Sequence, residues 1–190
     1  MSRPRLLGLL AAILCVALAA ALLRTSEAAL DHQVVRGRLE QPVRVGTGEV
    51  VVDQVRVADR LSGDSSVAGR TPGLFVVVRV DAAAPGTEEF RLDEARLLTR
   101  GDRIYAPYQA TFGLDAPPGF ADRADLVFEV DPAGISGLTL ELWQSELVSG
   151  YQARVQVPLG ITAANAGAWR DAGVRTAVEP DIYGRTRALT

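Results

Sequence analysis

The stretch that decides the fold is Leu74–Val80, which reads Leu-Phe-Val-Val-Val-Arg-Val. Aromatic and β-branched residues favour extended backbone, and they dominate this run. Successive side chains of a strand point to opposite faces, so a run that is apolar on both faces until Arg79 is covered on both sides. The stretch therefore predicts a central strand, which a turn at Pro85-Gly86 follows.

Short β-branched runs continue outward from this strand, separated by turn residues. A hairpin is predicted from Ala95–Thr99 to Ile104-Tyr105, with Gly101 in its turn. Further strands are predicted at Val34–Leu39, Val50–Ala58, Phe90–Leu92, Leu126–Val130, Leu138–Trp143 and Tyr151–Leu159. Long loops are expected at 61–73 and 111–124, which are rich in Gly, Pro, Ser and Asp. About seven to eight strands over residues 34–161 predict an all-β, immunoglobulin-like antiparallel β-sandwich.

The order of these strand and turn signatures also carries a family resemblance. It runs through Phe75 to Val78, Phe90-Arg91-Leu92, the Leu97 to Tyr105 hairpin, Pro118-Gly119, Leu126–Val130 and Leu138-Thr139-Leu140. Over about residues 48–160 the chain resembles the immunoglobulin-like domain family of unknown function found in secreted and membrane-anchored bacterial proteins, often actinobacterial. The resemblance implies the sandwich fold and supplies no catalytic residues. Many members carry a lipobox cysteine, and this chain departs from that pattern.

The N-terminal sequence predicts where in the cell the protein is located. Residues 6–23 form an uncharged, apolar run of 18 residues, which as a helix is about 27 Å long and matches a bilayer core of about 30 Å. Arg3 and Arg5 precede the run, so we expect residues 1–5 in the cytoplasm, a single-pass anchor at 6–23 and a spacer at 24–33. The rest of the chain then lies outside the cell membrane.

Two other interpretations of the N-terminus stay open. A cleaved signal peptide has the same charged start, and Ser26-Glu27-Ala28 fits a small-x-small cleavage site. A lipid anchor on Cys15 is disfavoured because Leu14 precedes it and the cysteine lies in the middle of the apolar run. All three interpretations carry residues 31–190 across the membrane.

Composition excludes several classes of function. One cysteine and one histidine among 190 residues leave no disulfide framework and no multi-Cys or multi-His metal centre. A net charge of −3 argues against a nucleic-acid partner. All 20 basic residues are arginine, which we interpret as the coding habit of a GC-rich genome. No cofactor and no metal is expected.

Few chemically reactive residues lie close together in the sequence, and no catalytic residue is predicted. His32 beside Asp31 lies in the spacer without a third partner, and Arg100-Gly101-Asp102 is explained by the hairpin turn. Acidic pairs flank several strands and are interpreted as solvated charges rather than calcium ligands, because none has the alternating spacing of a calcium loop. They are Glu88-Glu89, Asp93-Glu94 and Asp122 with Asp125.

One aromatic cluster is predicted to be an interaction surface. Tyr105, Tyr108, Phe112 and Phe120 flank the predicted loop at 111–124, where an apolar patch rimmed by charge can receive a partner. The alternative is that Tyr105 and Phe112 close one end of the sandwich.

The last segment, 162–190, is treated as a C-terminal extension. A short helix around Trp169 with Thr162 as its N-cap, an edge strand near Val178 and a mobile tail from Pro180 are expected. The sequence as a whole favours a non-catalytic interaction or accessory module of an envelope or transport complex, with a protein partner in the cell envelope. A small-ligand carrier and an enzyme with an unrecognised carboxylate site are the alternatives.

Overall fold

A computed structural model of the chain describes residues 34–63, 68–101, 103–108, 113–144 and 153–189. The predicted anchor at 6–23, its alternatives at Cys15 and 26–28, His32 and Phe112 lie outside the described residues. Within the described ranges, no helix has the length and apolar character needed to span a bilayer. The chain divides into two units, 1–34 and 35–190, and every element below lies in the second apart from Val34.

Thirteen strands, one α-helix and one 3-10 helix occur in the described ranges. The first seven strands are β1 (Val34–Arg36), β2 (Val43–Val45), β3 (Gly48–Leu61), β4 (Gly69–Ala83), β5 (Phe90–Leu92), β6 (Glu94–Leu98) and β7 (Ile104–Tyr105). The others are β8 (Leu114–Ala116), β9 (Phe120–Val130), β10 (Thr139–Trp143), β11 (Arg154–Pro158), β12 (Ala177–Val178) and β13 (Arg187–Ala188). The 3-10 helix is Pro132–Gly134, and the α-helix, α1, is Ala166–Gly173.

The strands form two main sheets. The six-stranded sheet has the order β12-β3-β4-β9-β13, with β2 also paired to β3. The five-stranded sheet has the order β1-β11-β10-β6-β7, and β5 pairs with β8 in a small third sheet. The stretch Leu74–Val80 lies in β4, between β3 and β9, so the prediction of a central strand is confirmed. The β6–β7 hairpin is confirmed as well, with Leu97 opposite Tyr105.

The main hydrophobic core lies between these two sheets. Alternate residues of β4 enter it, including Val76 and Val78, and Leu126 and Phe128 of β9 join them. Leu140 of β10 and other residues of the five-stranded sheet complete the same cluster. Two sheets that share one core are a β-sandwich, so the predicted all-β sandwich is confirmed. The strands are more numerous than predicted. Strand β12 runs parallel to β3, whereas the pairs β2–β3, β3–β4, β4–β9, β9–β13, β5–β8, β6–β7, β6–β10 and β10–β11 are antiparallel.

Alternation also gives the six-stranded sheet an apolar patch on its outer face, the face turned away from the five-stranded sheet. Phe75 and Val77 of β4 lie there with Val127 of β9, and all three are buried. Val178 and Ile182 from the C-terminal extension cover them. The extension is therefore packed on the sandwich through a second, smaller core.

The C-terminal extension departs from the prediction of a mobile tail. After α1, whose N-cap is Asn165 rather than Thr162, β12 pairs with β3 at one edge of the six-stranded sheet. The chain then passes over β4 to β9 at the other edge, where β13 pairs with Phe120 and Ala121. We call residues 179–184, which make this passage, the crossing segment. The sequence of the C-terminal extension is polar and gives no apolar pattern that would predict this attachment. Backbone hydrogen bonds to β9 contribute to it, and these do not depend on the side chains.

Both predicted loops are in part wrong. Gly69–Gly73 is already strand β4, and the predicted loop at 111–124 contains β8 and the first residues of β9. The first half of β9 reads Phe-Ala-Asp-Arg-Ala, without the apolar alternation that marks a half-buried strand. Arg123 and Asp125 lie on the outer face, where charged partners meet them, whereas Asp122 shares the inner side of the strand with the core residue Ala124.

Candidate functional site

The outer face of the six-stranded sheet carries a lattice of opposite charges beside its apolar patch. In the register of β4 and β9, Arg79 lies opposite Asp125, and Asp81 lies opposite Arg123. Arg56 on β3 lies opposite Val77, whose side chain also faces outward. Cross-strand neighbours on one face are close enough to pair, so alternation alone brings these charges together.

Asp125 is the hub of this lattice, and its side chain has no exposed surface. Arg79 donates to it through Nε at 3.0 Å and Nη2 at 3.1 Å, and Arg56 Nη2 donates at 2.5 Å. The backbone N–H of Asp181 adds a fourth hydrogen bond at 2.9 Å. Burial by itself would raise the pKa of Asp125, but the hydrogen bonds from Arg79 and Asp181 and the charge of Arg56 outweigh it and lower the pKa.

Asp81 organises the neighbouring arginines in the same way. Arg123 Nε donates to its Oδ1 at 2.8 Å, and Arg187 Nη2 from β13 lies 3.6 Å from the same oxygen. Arg123 Nη2 also lies 3.8 Å from Asp53 on β3. The hydrogen bond to Asp81 raises the pKa of Arg123, so this guanidinium stays charged.

The crossing segment lies over this lattice and borders an open pocket. The backbone N–H of Asp125 donates to the Asp181 carbonyl at 2.7 Å, and Arg185 and Arg123 exchange two backbone hydrogen bonds. The pocket has a volume of about 710 Å³. Its lining residues are Gly63, Arg79, Arg123, Glu179, Pro180, Asp181, Tyr183 and Arg185. Tyr183 is 72% exposed, the highest value among the large hydrophobic side chains of the described residues.

The five-stranded sheet carries a similar cluster on its own outer face. Glu141 of β10 is buried, and it accepts hydrogen bonds from Arg96 of β6 and, at 2.9 Å, from Gln156 Nε2. Arg154 Nη1 lies 3.6 Å from the same carboxylate. The guanidinium carbons of Arg96 and Arg154 lie 5.3 and 5.2 Å from the ring centroid of Trp143, within cation–π distance.

A fourth buried acid, Asp122, has a different environment. It accepts backbone hydrogen bonds from Asp115 at 3.2 Å and Arg123 at 3.1 Å, and no arginine side chain pairs with it in the described ranges. Burial raises its pKa. Its carboxylate lies against Gly184, where an added Cβ would come within 2.7 Å of Oδ2. Asp122 thus fixes the end of the crossing segment by close packing.

Three residues of the predicted aromatic surface, Tyr105, Tyr108 and Phe120, are described, and they lie at separate places. Tyr105 is half-buried, and its hydroxyl contacts Arg103 and the backbone of Asp131. Tyr108 packs edge-on against Phe75 at 5.1 Å between ring centroids, and its backbone N–H donates to Val127. Phe120 begins β9, seven residues before Val127 and thus about 23 Å away along the strand. Both Tyr108 and Phe120 are exposed, at 42% and 41%.

Sequence reasoning missed the charge lattice and took Asp125, its hub, and the nearby Asp122 for solvated charges. That interpretation is wrong for Asp122 and Asp125, which are buried. The missed signal is a charge at every second position, Arg79 with Asp81 on β4 and Arg123 with Asp125 on β9. Two such strands become recognisable as partners only when their antiparallel register is known.

Comparison with known proteins finds no matching family model and no matching curated protein. Among solved structures, the yjhA protein of Bacillus subtilis aligns with a TM-score of 0.48 at 10% identity, over 63% of this chain and 98% of that one. The ycdA protein of the same organism aligns with a TM-score of 0.46 at 17% identity, over 67% of this chain and 41% of that one. An uncharacterised β-sandwich protein of Clostridium difficile 630 aligns with a TM-score of 0.42 at 6% identity, over 65% and 93%. All three scores lie below 0.5, so the functional conclusions rest on the geometry of the chain itself.

Proposed function

We propose that this chain is a non-catalytic, immunoglobulin-like binding module held at the outer side of the cell membrane, where it serves an envelope or transport complex. One observation carries the proposal: three buried carboxylates, Asp81, Asp125 and Glu141, each contact two arginines. Charge-assisted hydrogen bonds between a carboxylate and a guanidinium are short and directional, so they hold the guanidinium in one position. These acids therefore fix arginine side chains in place on the outer faces of both sheets.

Fixed arginines are suited to recognition. A guanidinium presents five N–H donors in a planar fork, and it forms paired hydrogen bonds with carboxylates and phosphates. Holding it in position before a partner arrives reduces the side-chain entropy lost on binding. Both outer faces of the sandwich offer such prepositioned donors, which supports binding rather than chemistry.

The sequence supports the membrane part of the proposal. The uncharged run at 6–23 has the length of a membrane-spanning helix, and the arginines before it favour an N-inside orientation. The first described strand begins at Val34, so a spacer of about ten residues separates the proposed anchor from the sandwich. A tethered binding module meets partners in the same membrane more often than a freely diffusing one.

Crosslinking in native membranes tests this function. Full-length tagged protein is crosslinked, and the captured proteins and the N-terminus of the mature chain are identified by mass spectrometry. One dominant membrane partner and an intact residue 6–23 segment are expected. A free, soluble chain that starts near Ala29 would refute the anchor, and capture that persists unchanged after Arg79 and Arg154 are both replaced by Gln would refute recognition through the fixed arginines.

The pocket favours a second candidate, a small-ligand carrier. Its volume of about 710 Å³ lies in the range of small-molecule sites, about 300–1,000 Å³. Native mass spectrometry of protein purified without added ligand distinguishes the two functions. A stoichiometric small molecule that leaves on denaturation would indicate a carrier, whereas a ligand-free chain that captures a membrane protein would indicate an accessory module.

A further inference from the structure

The pocket beneath the crossing segment gathers three guanidiniums that differ in how they are held. Arg79 and Arg123 extend from the outer face of the sheet. Ion pairs with Asp125 and Asp81, respectively, hold these two side chains in place. Arg185 belongs to the segment that follows the crossing segment, and its side chain is 78% exposed. Two rigid donors and one adaptable donor therefore meet in one cavity.

The internal contacts use only part of the donor capacity of these arginines. Arg79 uses Nε and Nη2 on Asp125, and Arg123 uses Nε on Asp81. Arg185 Nε contacts Asp181 at 2.5 Å, in a pair whose arginine is exposed and whose aspartate is partly buried. Ion pairs that solvent can reach contribute little net free energy, so a ligand anion can exchange with this one at small cost.

The remaining lining residues narrow the class of ligand. Glu179 and Asp181 also line the pocket, and their charges disfavour a long polyanion such as a nucleic acid. The exposed ring of Tyr183 offers an apolar face next to the guanidiniums. A small anion with an organic body satisfies both features, because its charge meets the arginines and its body contacts the ring.

We propose that this pocket binds a small organic anion, a carboxylate or a phosphate, through Arg123 and Arg185 with Tyr183 against its body. The inference deepens the proposed function by naming a ligand class for a binding module, and it does not depend on the membrane anchor. The anion replaces Asp181 as the partner of Arg185 while Asp125 and Asp81 keep the sheet arginines in place.

Nuclear magnetic resonance of the full-length chain in detergent micelles tests the proposal. Succinate and inorganic phosphate are titrated separately at constant ionic strength, and the Nε–Hε signals of the arginines are followed. Saturable shifts at Arg123 and Arg185 are expected, with Arg185→Gln weakening the affinity by about five- to tenfold, as expected for loss of one charge-assisted contact. The anion that binds more tightly identifies the carboxylate or the phosphate as the source of the ligand.

A matched control separates the pocket from ordinary anion attraction. Arg91 pairs with Asp115 in an exposed ion pair outside the pocket, so Arg91→Gln removes the same charge without touching the pocket. This control is expected to keep the affinity of the unmodified chain, and Tyr183→Ala is expected to weaken the binding of succinate. Linear, unsaturable shifts, or equal losses in Arg91→Gln and Arg185→Gln, would overturn the proposal while leaving the crosslinking test of the membrane module unaffected.

Discussion

The two outer faces of the sandwich use the same arrangement of charges and reach different outcomes. On the six-stranded sheet, Asp125 is buried between Arg56 and Arg79, and on the five-stranded sheet Glu141 is buried between Arg96 and Arg154. The first cluster lies under the crossing segment, which borders an open pocket of about 710 Å³. In the second, the guanidiniums pack against the ring of Trp143.

The difference shows that a buried carboxylate does not by itself make a cavity. Asp125 also accepts a hydrogen bond from the backbone of Asp181, so the hub that fixes the arginines also anchors the segment above them. At Glu141 the additional hydrogen bond comes from the side chain of Gln156 and not from the backbone of a covering segment. Coupling the charge cluster to a covering segment is therefore what distinguishes the candidate site from a stable sheet surface.

The largest expected effect comes from removing the hub. Asp125→Asn leaves two guanidiniums without their carboxylate and weakens the attachment of the crossing segment, so we expect a loss of about 3 kcal/mol in the free energy of unfolding. The matched variant Glu141→Gln breaks a cluster that anchors no covering segment among the described residues, and we expect a loss of about 1–2 kcal/mol. Urea unfolding of both variants measures the difference, and a larger loss in Glu141→Gln would contradict the comparison.

Low pH should remove the contribution of Asp125 to the free energy of unfolding. The folded-state pKa of Asp125 is lowered, so its stabilisation is fully present above the unfolded value of about 3.9 and is lost as pH falls through the folded pKa. The gap in unfolding free energy between the unmodified chain and Asp125→Asn should therefore shrink below about pH 4. Urea unfolding between pH 2.5 and 6 checks this, and a gap that widens in acid would have the wrong sign.

A smaller effect is expected from loosening the cover alone. In Gly184→Ala the added Cβ would lie 2.7 Å from Asp122 Oδ2, so the crossing segment must shift, and we expect a loss of about 1–2 kcal/mol. Gly167→Ala on α1 is the control, because its Cβ meets only ordinary contact and alanine favours a helix by about 0.5–1 kcal/mol. Hydrogen exchange should rise at residues 181–189 in the first variant only. Unchanged exchange there would mean that Asp122 does not fix the segment.

The smallest effect is expected on the outer face of the five-stranded sheet, and it tests whether the two outer faces are independent. Trp143→Ala removes two guanidinium contacts that lie near the surface, each worth about 0.5–1 kcal/mol, so a modest loss of stability is expected. The affinity of the pocket for succinate should stay the same, because the two faces lie on different sheets. Thermal unfolding and the arginine titration measure the two quantities. A loss of succinate affinity in this variant would show that the two faces are not independent.

The sequence predicts the fold where the apolar pattern is strong. Leu74–Val80 and Leu126–Val130 are found as strands because their inward residues alternate or are continuously apolar. The first half of β9 is missed because Asp122, Arg123 and Asp125 follow one another with only Ala124 among them, a composition typical of loops. A strand whose outer face is satisfied by ion pairs gives no periodic hydrophobic signal.

The candidate site is much harder to predict from sequence than the fold. Its residues come from β3, β4, β9 and the C-terminal extension, and only the antiparallel register brings Arg79 to Asp125. The placement of the aromatic residues is hidden for a related reason, since Tyr108 and Phe120 are near in sequence but lie beside different parts of β9. We interpret the exclusive use of arginine as a coding habit. Several of these arginines nevertheless have defined structural partners.

The most direct test of the central claim is the pKa of Asp125 itself, read from its side-chain carboxyl carbon by nuclear magnetic resonance as the pH is lowered. If Arg56 and Arg79 hold this carboxylate ionised as a fixed recognition framework, it will titrate below the ordinary value of about 3.9. A titration above that value would mean that burial outweighs the arginines, and the account of a permanently ionised hub would be wrong.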